Sequence, residues 1–110
     1  MRAYELAVIL LGELEDTAAQ AWVKTISKNI EAHGGKLVGQ PEWWGKRRFA
    51  YEINKKTDGY YVFFNVLAEG SALDEVERTM RLADDVVRHK LIRLPDREAA
   101  RRGMAATSAA

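Results

Sequence analysis

The sequence predicts an α+β domain in which two helices cover one face of a four-stranded antiparallel sheet, in the chain order β-α-β-β-α-β. Two patterns predict this class. Four extended stretches either alternate apolar with polar residues or are rich in β-branched and aromatic residues, and two segments between them repeat apolar residues every three or four positions. With 110 residues, 47% of them hydrophobic, the chain suffices for one domain with a core.

The first strand and first helix are separated by a change of hydrophobic period. Ala3 to Leu11 is short and apolar, which predicts a strand that Gly12 ends. Thr17 and Gln20 have the spacing of a capping box, which predicts a helix start. The apolar face of this helix would hold Ala19, Trp22, Val23, Ile26 and Ile30. Gly34-Gly35 would end it.

The second and third strands are expected to form a hairpin. Lys36 to Val38 begins an extended stretch that Gly39 and Pro41 interrupt, and Trp43 to Ile53 resumes it. In the resumed stretch every second residue is apolar, as in a half-buried strand: Phe49, Tyr51 and Ile53.

The turn after the second strand, and the strand that follows it, can both be predicted from their residue types. Asn54 to Gly59 has turn chemistry, and Tyr60 to Leu67 is aromatic and β-branched, which predicts a central strand covered on both faces. Gly45 marks a position where a bulge would invert the alternation.

The second helix and last strand follow. Ser71, with Asp74 three residues on, predicts a helix start, and Asp84-Asp85 its end. One face of this helix holds Leu73, Val76 and Met80. Val86 to Leu94 alternates and predicts a strand, with Arg88, Lys90, Ile92 and Leu94 on one face.

These elements give one domain over residues 1–95. Residues 96–110 contain no Trp, Tyr or Phe, so we expect a flexible C-terminal tail with some helix around 98–102. The order is that of the ferredoxin-like arrangement, whose open sheet face needs either polar side chains or a partner. Fold alone does not define function, because enzymes, regulatory domains and RNA-binding modules share this architecture.

The composition argues against several functional classes. Cysteine is absent, which removes disulfides and thiolate chemistry and fits a reducing compartment. His33 and His89 lack metal-ligand spacing, and no nucleophile motif or phosphate-binding loop is present, so we expect neither an enzyme nor a cofactor. The sequence has no apolar run of membrane-spanning length and no secretory pattern, which predicts a cytoplasmic protein with no membrane partner.

Charge is unevenly distributed although the formal net charge is only +1. Glu5 to Gln20 carries four acids and no base, and Glu69 to Asp85 carries six acids against two bases. Glu42 to Lys56 has five bases against two acids, and Val86 to Arg97 has four bases against one acid. The basic segments are interleaved with aromatic residues, a combination that neutralises phosphates and offers stacking planes. Residues 58–65 do not match the common RNA-recognition signature, so that module is disfavoured.

The motif Trp-Gly-Lys-Arg-Arg-Phe-Ala-Tyr-Glu-Ile-Asn-Lys at residues 44–55 resembles the Trp-Gly-x-Arg-x-Leu-Ala-Tyr-x-Ile-x-Lys signature of the bacterial small-subunit ribosomal protein number six family. Further similarities lie in the same order along residues 1–94: the start at residues 1–5, Gly59-Tyr60-Tyr61, and the helix-to-strand junction at residues 81–88. Phe49 stands where the signature has Leu. The resemblance implies a protein that binds the central domain of 16S rRNA together with small-subunit ribosomal protein number eighteen, with no small-molecule substrate.

Two sets of candidate site residues follow. Phosphate contacts are expected from a pool of cations: Arg2, Lys46, Arg47, Arg48, Lys55, Lys56, Arg88 and Arg93. Tyr4, Trp44 and Tyr51 are candidates for packing against the partner or RNA, and at least one of these rings is expected to pack in the core instead. The alternative function is a homodimeric regulatory domain of the same fold that binds a small metabolite.

Overall fold

The computed structural model describes residues 1–53, 55–69 and 71–104 and confirms the α+β sandwich. Its elements are β1 (Arg2–Leu11), α1 (Asp16–Ala32), β2 (Lys36–Leu37), β3 (Glu42–Ile53), β4 (Lys56–Ala68), α2 (Asp74–Leu82), β5 (Val86–Arg93) and α3 (Asp96–Arg101). The predicted second strand is thus split into β2 and β3, and α3 is added to the predicted order.

The sheet is antiparallel and centred on β4. β4 pairs with β1 on one side and with both β2 and β3 on the other, while β5 pairs with the far side of β1. Alternate residues of the central strands point towards the helices and are buried there: Leu6, Val8 and Leu10 of β1, and Val62, Phe64 and Val66 of β4. The helices contribute Ile26 and Ile30 from α1 and Val76 and Met80 from α2. Burial of these side chains contributes about 1.5–3 kcal/mol each.

Both helix starts differ from the sequence prediction. α1 begins at Asp16 with Glu15 as N-cap and no side-chain capping bond, so the Thr17–Gln20 capping box is not formed. Instead the Gln20 amide donates to Asp16 Oδ2 at 2.6 Å, one helical turn away. α2 begins at Asp74 because residues 71–73 form a turn closed by a bond from the Asp74 amide to the Ser71 carbonyl.

The β3–β4 hairpin is tighter than the sequence predicts. Ile53 pairs with Lys56, and Lys55 has a left-handed φ of 64°. Asn54, which belongs to the expected turn, lies outside the described residues. Asp58 and Gly59, expected in the turn, pair with Arg48 and Arg47. A short turn satisfies more backbone groups than a six-residue loop, which explains why β4 extends into the predicted turn.

The segment after β5 contains the helix expected around residues 98–102, as α3 (Asp96–Arg101). α3 packs on the face of the sheet opposite α1 and α2, where Ala99 and Met104 are buried against Ala3, Leu67 and Leu94. Aliphatic side chains make this contact without an aromatic ring, so the absence of Trp, Tyr and Phe from this segment did not indicate that it would stay unpacked. Residues 105–110, the rest of the expected tail, lie outside the described residues.

Candidate nucleic-acid interface

The part of the sheet that no helix covers carries an aromatic and cationic surface. It lies on the side opposite α1 and α2, beyond the end covered by α3. We call it the open-face patch, and its members are Ile9, Trp44, Arg47, Phe49, Ile53, Tyr61, Phe63, Arg88 and Lys90. Strand alternation produces it, because these side chains lie between the helix-facing residues of the same strands.

The aromatic rings of the patch contact one another across β3 and β4. The Trp44 and Phe63 ring centroids are 4.7 Å apart at an interplanar angle of 58°. Trp44 also stacks on Tyr61 at 6.2 Å and 24°, and Phe49 meets Tyr61 edge-on at 6.0 Å and 73°. Such pairs contribute roughly 0.5–1.5 kcal/mol each beyond the area they bury, so the rings hold one another in place.

A bulge in β3 brings Arg47 to the same face as Trp44. Trp43 pairs with Val62 and Gly45 with Tyr61, so Trp44 is an extra residue, and Gly45 has a φ of 78° that favours glycine. Without the bulge, residues 44 and 47 would point to opposite faces, because their separation is odd. The inverted alternation expected at Gly45 is therefore present.

Trp44 contacts Arg47, Glu42 and the neighbouring rings, yet the residue remains 45% exposed. The Arg47 guanidinium carbon lies 5.3 Å from the ring centroid, and Arg47 Nε donates to the Trp44 carbonyl at 3.4 Å. The indole N–H donates to Glu42 Oε2 at 2.8 Å. A fixed, exposed indole next to a guanidinium is suited to packing against an apolar side chain or a base.

Beside the rings, a shallow depression of about 240 Å³ runs between β1, β4 and β5. Ala7, Ile9, Ile53, Tyr61 and Phe63 form its apolar part, and Arg88 and Lys90 flank it. Among the described residues that line it there is no carboxylate, so it combines an apolar floor with positive charge.

The other end of this face is closed by the C-terminal segment. Arg102 Nη1 donates to Glu5 Oε2 at 2.9 Å and to Asn65 Oδ1 at 3.2 Å, and its Nε donates to Glu98 Oε2 at 2.7 Å. Hydrogen bonds from Arg101 and then Arg102 lower the pKa of the Glu98 carboxyl, and the bond to Glu98 raises the pKa of Arg102. These groups are satisfied by one another and bound the open-face patch.

The predicted cations do not form one surface. Arg47 and Arg88 lie in the open-face patch, whereas Lys46 lies on the helix side with its Nζ 6.0 Å from the Tyr60 ring, and Arg48 is opposite Asp58. At the hairpin end, Lys55 is exposed in the turn. Lys56 Nζ lies 2.7 Å from Glu13 Oε1, a bond that lowers the pKa of Glu13.

The remaining predicted residues are scattered. Tyr4 packs partly buried against the main core, opposite Arg93 of β5, and Arg2 is exposed at the start of β1. Tyr51 is 78% exposed, not half-buried, because residues 49–52 fall where the β3–β4 ladder is interrupted between the Arg48–Asp58 and Ile53–Lys56 pairs.

The sequence reasoning missed Tyr61, Phe63 and Lys90. The signal for Lys90 was present, because the alternation of the last strand places it on the same face as Arg88. The rings were missed because residues 60–67 were expected to be covered on both faces, whereas Tyr61 and Phe63 are only half-buried.

Neither a metal centre nor a membrane helix is found in the described part of the chain. Over residues 1–53, 55–69 and 71–104, no three His, Asp or Glu side chains lie close enough to hold an ion. Within the same ranges no helix has the length and hydropathy needed to cross a bilayer.

Two helices packed on one face of an antiparallel sheet, with the other face partly open, define a protein of the ferredoxin-like class. The family model described as ribosomal protein S6 matches residues 3–93, so the chain belongs to the ribosomal protein S6 family. This family places it among the proteins of the small ribosomal subunit, in the cytoplasm.

Individual relatives agree with this assignment. The small ribosomal subunit protein bS6 of Carboxydothermus hydrogenoformans is 43% identical over 93 residues, which cover 84% of this chain and 96% of the relative. The small ribosomal subunit protein bS6 of Exiguobacterium sibiricum is 43% identical over 88 residues, which cover 80% of this chain and 92% of the relative. The crystal structure of 30S ribosomal protein S6 from Thermotoga maritima superposes with a TM-score of 0.84 at 30% identity, over 94% of this chain and 97% of that one.

Proposed function

We propose that this protein is a structural, non-catalytic constituent of the small ribosomal subunit that binds the central domain of 16S rRNA together with small-subunit ribosomal protein number eighteen. The observation that carries the proposal is the open-face patch, in a chain that belongs to the ribosomal protein S6 family. Its rings and cations offer one surface to an apolar partner segment and to phosphates.

The roles divide by position. The depression between Ile9, Tyr61 and Phe63, together with the Trp44 ring, receives the partner protein, since it is the apolar part of the patch. Arg47, Lys55 and Arg88 contact phosphates, because phosphate contacts need exposed cations and no base-reading geometry.

The charge of the chain explains why a partner is required. With a formal net charge of +1, the protein has few cations in excess and neutralises few phosphates by itself. Lys56 is already paired with Glu13, which removes one cation of the pool. A complex that brings in further basic residues binds RNA more tightly than this chain alone.

Amide chemical-shift mapping tests the proposal. Isotope-labelled protein is titrated with protein number eighteen, and then with a fragment of the rRNA central domain. We expect shifts centred on Trp44, Tyr61 and Phe63 at the first step and on Arg47, Lys55 and Arg88 at the second. Shifts confined to α1 and α2, or no complex at all, would contradict the proposal.

A further inference from the structure

A second and larger concavity lies on the helix side of the sheet, between α1 and the segment that enters β3. We call it the α1 groove, and it has a volume of about 620 Å³. The lining residues that matter here are Gln20, Val23, Lys24, Lys28, Pro41 and Trp43. Because the sheet separates the α1 groove from the open-face patch, the function proposed above does not use it.

The apolar floor of the α1 groove is held by the core beneath it. The Trp43 ring stacks on Tyr60 with centroids 5.5 Å apart and an interplanar angle of 22°, and the Tyr60 hydroxyl donates to the Leu14 carbonyl at 2.9 Å. On the other wall, α1 is anchored through buried Ile26 and Ile30. The groove therefore exists before any ligand arrives, which lowers the entropic cost of binding.

The charged side chains of the α1 groove are all positive. Lys24 and Lys28 are exposed, lie one helical turn apart on α1, and have no ion-pair partner within residues 1–53, 55–69 and 71–104. Two nearby carboxylates already accept hydrogen bonds: Asp16 accepts from Gln20, and Glu42 accepts from Trp44 on the opposite face of the sheet.

We propose that the α1 groove binds an acidic peptide segment of another protein. An aliphatic or aromatic side chain of that segment packs against Val23, Pro41 and Trp43, and its carboxylates pair with Lys24 and Lys28. Charge complementarity selects this occupant. A peptide fits better than RNA, because Tyr60 occupies one face of the Trp43 ring and the aliphatic walls suit side chains more than bases.

The probe is a fluorescein-labelled peptide, Glu-Asp-Leu-Phe-Glu-Asp-Leu-Glu, whose anisotropy is followed during titration with the full chain. A peptide with lysine at each acidic position and a labelled uridine oligonucleotide are run in parallel. The binding variant is Lys24→Glu with Lys28→Glu. The control is Arg78→Glu with Arg81→Glu, which makes the same change of charge on exposed residues of α2.

We expect the acidic peptide to bind, and Lys24→Glu with Lys28→Glu to weaken it by about tenfold or more, while the α2 control changes affinity by less than about twofold. Ala21→Trp fills the groove without altering charge and is expected to abolish binding. Failure of the acidic peptide to bind, equal binding of the basic peptide, or equal weakening by both charge variants would overturn the proposal. If the oligonucleotide bound, and if only the Lys24 and Lys28 variant abolished that binding, the groove would be an RNA site and the proposal would be overturned.

Discussion

Arg102 bridges the two ends of the described chain, because its guanidinium donates to the Glu5 carboxylate at 2.9 Å across 97 residues of sequence. The same side chain bonds Glu98 and Asn65, so one cation ties α3 to β1 and β4. Residues 96–104 are thereby part of the domain and decide how much of the open sheet face remains accessible.

Replacement of Arg102 by Gln should release the C-terminal segment without unfolding the sheet. The change removes a charge-assisted contact that is partly exposed, so we expect a loss of about 1 kcal/mol in the free energy of unfolding. Amide hydrogen exchange of residues 96–104 would become faster. The matched control is Arg101→Gln, since Arg101 is 77% exposed and its one ion-pair partner among the described residues is Glu98. Equal exchange in both variants would contradict the bridging role.

Docking of α3 should depend on acid pH through Glu98. The arginine hydrogen bonds lower the folded-state pKa of its carboxyl below the ordinary value of 4.5. The stabilisation is therefore fully present above that ordinary value and is lost as the pH falls through the lower folded-state pKa. Methyl resonances of Ala99 and Met104, followed by NMR across an acid titration, should report the release. A Glu98→Gln variant should show a weaker pH dependence, and an unchanged titration would contradict the assignment.

The adjacent tryptophans should respond differently to replacement by alanine. Trp43 packs against the main core and stacks on Tyr60, so Trp43→Ala should lower the free energy of unfolding by about 2–4 kcal/mol. Trp44 is 45% exposed in the open-face patch, so Trp44→Ala should cost about 1 kcal/mol yet weaken binding of the partner protein by about tenfold. Urea unfolding and calorimetric titration separate the two effects. If Trp44→Ala bound the partner normally, the ring would have no role in docking.

Gly59 should not tolerate a side chain. A Cβ at this position would lie 2.7 Å from both Ile9 Cγ2 and the Leu10 carbonyl oxygen and 3.1 Å from Phe49 Cζ. Gly59→Ala is therefore expected to destabilise the protein by about 1–3 kcal/mol and to displace Phe49 from Tyr61. Urea denaturation checks the first effect and aromatic proton shifts check the second. If Gly59→Ala had the stability of the wild-type protein, β1 and β4 would have to move apart more easily than their packing implies, and the prediction would be wrong.

Arg47→Ala combined with Lys55→Ala should weaken binding to rRNA while leaving the fold intact, because both side chains are exposed and neither supports the core. Each lost phosphate contact should reduce the slope of log affinity against log salt concentration by about 1. Arg78→Ala with Arg81→Ala on α2 serves as the control of equal charge. A folded double variant with the wild-type affinity and slope would remove Arg47 and Lys55 from the interface.

Hydrophobic period predicted the sheet and the two main helices because those segments bury one face each. A helix around residues 98–102 was expected, but its docking on the sheet was not, because Ala99, Met104 and Arg102 contact residues distant in sequence. The hydrophobic period also predicted a half-buried Tyr51, whereas this residue is exposed. The interruption of the β3–β4 ladder after Arg48 causes the difference and leaves no periodic signal in the sequence.

The site was less predictable than the fold. The motif at residues 44–55 indicated the family, and Gly45 indicated the bulge that joins Trp44 and Arg47 on one face. The candidate phosphate-binding cations, however, were selected by their charge and not by the face of the sheet on which they lie. In the structure they are distributed over both faces. Uncharged residues of the open-face patch such as Phe63 carry no charge signal, and they can be recognised only when strand pairing shows which neighbours share a surface.

The most direct test of the central claim is the affinity for a central-domain fragment of 16S rRNA, measured with and without small-subunit ribosomal protein number eighteen across a salt series. We predict tight binding only when both proteins are present, with an affinity that falls steeply as salt rises. Absence of binding by folded protein under both conditions would contradict the account and favour the alternative of a dimeric metabolite-binding domain.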